Sequence, residues 1–314
     1  MKIGRRKALA IIGGGTILAA GVGSGVFLNT RTPEKALAPW RMVGGYEELR
    51  RRVLSWAILA PNPHNRQPWM VDLSQPDEIV LYVDTDKLLP ETDPFGRQIT
   101  IGLGCFLELL RMAAAQEGVL ADITVFPQGY DDYELDGRPV ASIKMVRNTD
   151  VEPDPLFDYA LARRSTKEIY DPTRVVPDNA IKQITTSGGP GAQIFGTNKM
   201  DQITELRRIG EEAMMVELTT HRTYKESVDL FRIGKAEIEA NPDGIDLGGP
   251  LMDSLALFGL MSREAALDPN SPSYSAGIDA VMENVRSGMS YVWLVSDENS
   301  RIDQLNAGRD WVRI

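Results

Sequence analysis

The sequence predicts an α+β fold in which antiparallel-rich sheets are flanked by helices. Two apolar segments of strand type flank a short polar turn at Pro76 and Asp77, and further strand-type segments follow. Stretches with helical apolar spacing alternate with these segments. A polar, proline-bearing seam at 148–156 divides the chain. We therefore expect two halves, residues 39–150 and 151–314.

The first half opens with a helix and contains a second, buried one. Apolar residues recur at helical intervals over Tyr46–Ala60, and Pro61 ends this helix. Ile99–Gly118 is apolar almost all the way round, which predicts a buried helix, and Gly102 and Gly104 would let another helix approach closely. Four segments are predicted as strands: Met70–Leu73, Ile79–Val83, Ile123–Phe126 and Val140–Val146.

The second half shows a similar order with a long insertion. A helix is predicted at Met200–Thr220 and a strand at Met289–Asp297. Residues 225–288 carry clusters of glycine and proline. The GRDWVRI segment from Gly308 echoes GRQITI from Gly96, so we expect a helix to begin there and to be cut short at the end of the chain.

Composition excludes several classes of site. The net charge of −10 argues against a surface that binds a nucleic-acid duplex, since such a surface is basic. Cys105 is the only cysteine, so neither an intrachain disulfide nor a cysteine-based metal site is expected. With His64 and His221 as the only histidines, a zinc site built from protein ligands is not expected either.

Residues 1–38 read as a targeting segment rather than as part of the fold. Arg5 and Arg6 precede an apolar stretch, Ala8–Leu28, that six glycines make only weakly hydrophobic. A paired arginine before such a stretch resembles a twin-arginine export signal, and the ALA sequence at residues 36–38 could be its cleavage site. We expect export to the periplasm by that machinery. An uncleaved anchor facing outward is the alternative.

The segment RRSTKEIYD, which starts at Arg163, is a candidate phosphate site. If the backbone is extended, Arg163, Ser165 and Lys167 lie on one side. A forked cation, a hydroxyl and a second cation suit a phosphate group. The alternative is structural, because arginines at the end of a helix also oppose its dipole favourably.

The segment APNPHNRQPW, residues 60–69, is a candidate ligand ledge. Its prolines restrict the backbone, and its asparagines can both donate and accept hydrogen bonds. A stiff polar backbone could bind the edge of a flat heteroaromatic ring. The alternative is a turn that only reverses the chain, with Trp69 in the core.

Together the two segments resemble the signatures of the nitroreductase-like flavoprotein family. LSWAILAPNPHNRQPW is similar to its helix followed by an APSxxNxQPW turn, and RRSTKEIYD to its opening motif. The resemblance covers most of the chain after Tyr46 and implies FMN as cofactor. It assigns Arg163, Ser165 and Lys167 to the FMN phosphate. The residues it assigns to the isoalloxazine ring are Pro61, Asn62, Pro63 and Asn65.

The order of the two motifs implies a fused pseudo-dimer. In the family the phosphate motif comes first, whereas here the ring motif lies in the first half and the phosphate motif in the second. One intact site would then combine both halves within a monomer, while TTSGGPGAQIFG marks a lost second turn. An exported, fused chain of this kind resembles the Acg-type subgroup, which tends to carry a lid over the flavin. Residues 225–288 are the lid candidate.

The resemblance implies an oxidoreductase that passes two electrons through FMN to a nitroaromatic or a quinone. The alternative is an exported protein that holds FMN under a closed lid without turnover. Two features depart from the family: Pro63 lacks a backbone N–H, and the second half ends before the last phosphate contacts. The sequence leaves the role of Arg97 open. We expect His64 to be an exposed turn residue and Cys105 an inert core thiol.

Overall fold

A computed structural model describes residues 32–148, 150–189 and 191–314. The paired arginines at residues 5 and 6 and the apolar stretch at 8–28 lie outside the described residues. The ALA segment lies at the start of the description, where Ala38 begins a short helix.

The described residues form eleven α-helices and eight strands that alternate along the chain. The helices are α1 (Ala38–Met42), α2 (Leu49–Ala57), α3 (Arg97–Gln116), α4 (Asp178–Thr185), α5 (Met200–Thr219), α6 (His221–Asp229), α7 (Gly234–Ala240), α8 (Pro250–Leu257), α9 (Arg263–Leu267), α10 (Pro272–Ser287) and α11 (Arg301–Trp311). The strands are β1 (Trp69–Asp72), β2 (Glu78–Val83), β3 (Val119–Val125), β4 (Ala141–Arg147), β5 (Gln193–Thr197), β6 (Phe231–Ile233), β7 (Ile245–Leu247) and β8 (Tyr291–Val295).

The main sheet and α3 enclose the core of the first half. The sheet has the order β1-β2-β4-β3, and each neighbouring pair is antiparallel. Along β2, Ile79, Leu81 and Val83 are buried and alternate with more exposed residues, as expected for a strand with one face on a core. The predicted class of antiparallel sheet flanked by helices is confirmed.

Helix α3 is the central element of the core. Gly96, in the left-handed region at φ 62°, precedes it, and the Asp93 carboxylate accepts the Ile99 N–H at 3.0 Å. Within the described residues it is also the helix that is long and apolar enough to span a bilayer. Most of its residues are buried against the protein, as predicted, which is typical of a core helix.

The second half contains a small sheet whose two strands are far apart in sequence. Strands β5 and β8 pair antiparallel, with Phe195 opposite Trp293. The chain between them, residues 198–290, holds α5–α10 and a parallel pair formed by β6 and β7. The predicted lid, residues 225–288, falls inside this insertion.

Helices α3 and α11 cross at a reciprocal contact. A Cβ added to Gly104 would lie 2.0 Å from the Leu305 carbonyl oxygen, and a Cβ added to Gly308 would lie 1.9 Å from that of Ile101. Counted from the first residue of each helix, Ile101 corresponds to Leu305 and Gly104 to Gly308. The close approach predicted for Gly104 is confirmed. Each helix therefore contributes the same positions to the contact, as in a two-fold interface.

The predicted start of the last helix at Gly308 is wrong. Ser300 and Asp303 form a capping box, so α11 begins at Arg301 and Gly308 lies in its final turns. The echo with Gly96 is therefore misaligned, because Gly96 precedes α3 whereas Ser300 precedes α11. The helix runs to Trp311.

Candidate functional site

The ledge, residues 60–69, is a tight turn with an unusual backbone. A 3₁₀ turn spans Pro63–Asn65, and His64, Asn65 and Gln67 have φ values of 49°, 51° and 51°. Non-glycine residues rarely adopt this left-handed region, and such conformations persist where surrounding structure holds them. The Asn62 side chain supplies part of that support: its Oδ1 accepts the Gln67 N–H at 2.7 Å.

The ledge rests directly on α3. A Cβ added to Gly102 would lie 3.1 Å from the Asn62 Cβ and 3.5 Å from the Pro63 Cδ. Glycine at residue 102 therefore lets a turn approach the helix, where the sequence predicted a second helix. Trp69 packs against Phe106 of α3, with ring centroids 5.2 Å apart, which agrees with a core role.

Arg163 links the candidate phosphate motif to the ledge. Its Nη2 donates to the Leu59 carbonyl oxygen at 2.9 Å, directly before the ledge begins at Ala60. Its Nε is buried and has no hydrogen-bond partner in the described structure. Burial lowers the pKa of this guanidinium from its usual value. The structure thus brings together two segments that lie about a hundred residues apart in sequence.

The other two phosphate candidates are exposed. Residues 163–167 form neither helix nor strand, and Ser165 is open to solvent. Lys167 forms an ion pair with Asp246 of β7, with an Nζ–Oδ1 distance of 2.6 Å. Arg164 points elsewhere, because its guanidinium stacks over the Trp40 ring at 3.9 Å.

The inserted segment 242–246 lies over the ledge. The Pro242 carbonyl accepts from the side chains of Asn65, at 3.2 Å, and Gln67, at 2.9 Å. The Gly244 N–H donates to the Asn65 carbonyl at 3.0 Å. Since Asp246 of the same segment also binds Lys167, this segment connects the ring motif with the phosphate motif.

Asp243 binds three cations, of which Arg66 and Lys87 belong to the first half and Arg232 to the insertion itself. It binds Arg66 at 2.9 Å, Arg232 at 2.9 Å and also Lys87. Burial is the largest single influence on the pKa of this carboxyl and raises it. Lys87 and Arg232 together lower the pKa by more than burial raises it, so the pKa lies below the usual value. The carboxylate therefore stays ionised and holds the segment in place.

His64 is half-buried, so the expected exposed ring is wrong. Its Nδ1 has no hydrogen-bond partner within the described part of the chain. Burial lowers the pKa of His64 below its usual value, although Glu217 and Glu226 act in the opposite direction. The imidazole is therefore neutral at pH 7, and one of its nitrogens can still bind a polar group.

Two other candidates have structural roles. Cys105 is buried, its Sγ lies 3.1 Å from the Gly308 carbonyl, and burial raises the pKa of its thiol to about 12. This agrees with the predicted inert core thiol. Arg97 is exposed at the start of α3 and lies over the Phe95 ring at 5.4 Å.

Sequence reasoning missed the residues that hold the inserted segment on the ledge. These are Arg66, Lys87, Arg232, Pro242, Asp243 and Gly244. The NPDG sequence at residues 241–244 was recognisable as a turn, but a turn signal does not indicate what the turn contacts. The cations come from three separate parts of the chain, and their spacing shows no pattern.

Comparisons with known proteins show what the chain is similar to. No family model matches the chain. Over 79 residues it is 35% identical to "Putative NAD(P)H nitroreductase acg" of Mycobacterium tuberculosis (strain ATCC 25618 / H37Rv), covering 25% of this chain and 24% of that protein. Over 179 residues it is 26% identical to "Putative NAD(P)H nitroreductase Rv3131" of the same strain, covering 57% and 50%.

The matched segments span between a quarter and a half of these relatives' own length. The mixed architecture, with an antiparallel sheet flanked by helices, is consistent with that relationship. The chain is therefore a distant homologue of proteins named as NAD(P)H nitroreductases, and the similarity supports a nitroreductase-like family.

Proposed function

We propose that this protein is an FMN-dependent oxidoreductase of the nitroreductase type, with one site formed by the ledge and the Arg163 motif. The hydrogen bond from Arg163 to the Leu59 carbonyl carries this proposal, because it joins the two segments that the family resemblance assigns to one cofactor. The nitroreductase names of the mycobacterial relatives support the same activity.

The residues present fit such a cofactor. Arg163 Nε and His64 Nδ1 are buried polar atoms without partners in the described structure, one on each motif, and a buried polar atom without a partner is costly. Arg163, Ser165 and Lys167 would hold the phosphate, with Lys167 exchanging Asp246 for it. Pro61, Asn62, Pro63 and Asn65 would line the ring. When bound, FMN supplies the two-electron transfer, and the chain supplies binding and orientation.

The ring contacts of the ledge would come mainly from its backbone. The Asn62 amide is engaged within the turn, with Nδ2 donating to Ala60 O at 3.1 Å and Oδ1 accepting from Gln67. The Asn65 amide is held by Pro242. These bonds fix the strained backbone, so its peptide groups are positioned before a ligand arrives, which reduces the ordering cost of binding.

The site would lie between two related halves of one monomer. The reciprocal contact of Gly104 and Gly308 supports this view. Helices α2 and α4, each followed by a turn and a strand, support it as well. A fused pseudo-dimer explains why the ledge belongs to residues 39–150 and the phosphate motif to 151–314.

Export is part of the proposal. The paired arginines and the weakly apolar stretch at residues 8–28 suit the twin-arginine machinery, which transports folded proteins. The protein would then act in the periplasm, or outside the cytoplasm on an anchor. Its electron acceptor would be a small molecule such as a nitroaromatic or a quinone, and its donor there need not be NAD(P)H.

The closed position of segment 242–246 favours a second candidate function. Three hydrogen bonds and the Asp243 ion pairs hold this segment on the ledge. A protein closed in this way could sequester FMN without turnover. Steady-state oxidation of NAD(P)H or an artificial donor with a nitroaromatic acceptor separates the two functions, since the sequestering protein shows FMN absorbance but no acceptor reduction.

The FMN site is tested by comparing Arg163→Ala with Arg164→Ala. Charge-assisted hydrogen bonds contribute roughly 1.5–3 kcal/mol each, so Arg163→Ala should weaken FMN binding about tenfold or more. Riboflavin lacks the phosphate, and its affinity should barely change. Arg164→Ala should leave both affinities unchanged, because that guanidinium stacks on Trp40. Equal losses for FMN and riboflavin in Arg163→Ala would show that Arg163 supports the fold instead.

A further inference from the structure

The second half contains a counterpart of the ledge, here called the glycine turn: residues 187–189 and 191–192. Counted from the first residue of each helix, Leu49 of α2 corresponds to Asp178 of α4, and Asn62 then corresponds to Gly191. The packing agrees with this alignment. Asn62 lies against Gly102 of α3, and Gly191 lies against Asn306, with a Cβ-to-Cβ distance of 2.7 Å if Gly191 carried a Cβ.

The same pair of residue types is thus exchanged between the two halves. In the first half the turn supplies asparagine and the helix supplies glycine, whereas in the second half the turn supplies glycine and the helix supplies asparagine. Counted from the helix starts, Gly102 and Asn306 are corresponding positions. The glycine turn therefore occupies the place on α11 that the ledge occupies on α3.

The glycine turn, unlike the ledge, is filled by a carboxylate of its own chain. Asp310 of α11 is 1% exposed, and its Oδ1 accepts the Gly189 N–H at 2.7 Å. A Cβ at Gly189 would lie 2.5 Å from that oxygen, and a Cβ at Gly191 would lie 2.9 Å from Oδ2. Glycine at both positions is what lets the carboxylate reach the backbone.

Asp310 is incompletely satisfied in this position. Its Oδ2 is buried and has no hydrogen-bond partner in the described ranges. Burial raises the pKa of Asp310, the N–H groups of Gly189, Ala192 and Gly191 lower it, and the result lies above the usual value. Backbone N–H groups that face one point form a general anion-binding site, so the carboxylate stands where an external oxyanion would fit.

The corresponding position on α3 carries no acceptor. Phe106 occupies it, is fully buried and packs on Trp69. We propose that Asp310 is a built-in ligand of the glycine turn, which makes this turn a latent oxyanion site, whereas the ledge receives no such ligand from α3. The inference does not require flavin at the ledge, and its test uses inorganic phosphate.

The test is Asp310→Ala in the full-length chain, followed by amide NMR during a phosphate titration at constant ionic strength. The Gly189, Gly191 and Ala192 amide resonances should shift with phosphate and saturate in the millimolar range. In the unaltered chain they should not respond. Asp303→Ala is the matched control, since it also removes one carboxylate from α11 but lies at the cap with Ser300. A folded Asp310→Ala protein whose turn amides ignore phosphate overturns the proposal.

A second measurement covers a variant that fails to fold. In the unaltered protein, hydrogen exchange of the Gly189 amide should be slowed, because that N–H is bound to a buried carboxylate. Its resonance should also move with the ionisation of Asp310, and this movement should vanish in Asp310→Asn. A Gly189 amide that exchanges as fast as a free surface amide, or that keeps its pH response in Asp310→Asn, overturns the proposal.

Discussion

The ledge and the glycine turn occupy corresponding places on two corresponding helices, yet their polar groups are satisfied in different ways. On the ledge, His64 Nδ1 lacks a partner in the described structure, as does the Nε of Arg163 beside it. In the glycine turn, Asp310 reaches in from the helix and accepts a backbone N–H. Polar atoms at the ledge thus have no partner in the described structure, whereas the glycine turn already binds a carboxylate from its own chain.

The difference depends on few positions. Phe106 and Asp310 correspond by helix position, as do Gly102 and Asn306. Where the helix offers glycine and phenylalanine, the turn that packs on it receives no polar group from these two positions. Where the helix offers asparagine and a carboxylate, the turn is built from glycine and closes on the helix. Two turns at corresponding helix positions therefore differ in how their polar groups are satisfied.

Helix packing at Gly104 and Gly308 gives the strongest test of the two-fold relation. Gly104→Ala and Gly308→Ala each place a methyl group within about 2 Å of a backbone carbonyl, which the helices relieve only by moving apart. We expect each to lower the free energy of unfolding by about 4 kcal/mol in urea titrations. Because the contact is reciprocal, the two losses should be nearly equal.

Gly137→Ala is the control for this pair, since a Cβ there meets no atom within 4 Å. It should change the free energy of unfolding by less than about 0.5 kcal/mol. A large loss for Gly104→Ala with a small one for Gly308→Ala would contradict the symmetric contact and would indicate that only α3 is tightly held.

Glu108 tests the asymmetry between the two helices. It is 3% exposed on α3 and binds Arg111, Arg309 and Arg313, while its counterpart by position is the apolar Val312, directly after α11. Glu108→Gln leaves Arg111 and Arg313 paired with Asp154 alone and removes the carboxylate that Arg309 binds. Removing one partner from a buried cluster is expected to cost about 3 kcal/mol in the free energy of unfolding.

The same variant has a defined pH signature. Burial is the largest influence on the pKa of Glu108 and raises it, but the arginines more than offset this, and the pKa lies below the usual 4.5. The stabilisation by Glu108 is therefore present above about pH 4.5 and is lost as the pH falls through the lower folded-state pKa. Glu108→Gln should show a smaller loss of stability on acidification, and an unchanged acid profile would contradict the assigned role.

Local pattern allowed much of the fold to be predicted from the sequence. The buried helix at Ile99–Gly118, the paired strands around Pro76 and the inert Cys105 follow from apolar spacing and composition, and the structure agrees. The start of α11 was missed because GRDWVRI resembles a helix beginning, while the capping residues Ser300 and Asp303 were not recognised. The capping box at Ser300 and Asp303 fixes the start of the helix, and the similarity of GRDWVRI to GRQITI does not.

The candidate site was less predictable because its support is nonlocal. Arg163 and the ledge were proposed as one site, and their contact is present, but through the Leu59 carbonyl. His64 was expected to be exposed because it stands in a polar turn, but its ring is half-buried in the folded chain. No sequence signal indicated what Asp310 and Asp243 contact. Asp310 accepts a backbone N–H from Gly189, and Asp243 binds side-chain cations that lie far away in the sequence.

The last and smallest expected effect concerns how firmly segment 242–246 covers the ledge. Asp243→Asn keeps the shape of the side chain but removes the charge that binds Arg66, Arg232 and Lys87. We expect the segment to open about tenfold more often, equivalent to about 1.4 kcal/mol. Hydrogen exchange of the Gly244 amide, which donates to the Asn65 carbonyl, measures this opening.

Asp246→Asn is the matched control on β7, because its pair with Lys167 is exposed and exposed pairs contribute little. Equal acceleration in both variants would show that any charge loss on this segment frees it. Acceleration in Asp243→Asn alone would establish that the ledge, unlike the self-filled glycine turn, is covered by a removable element.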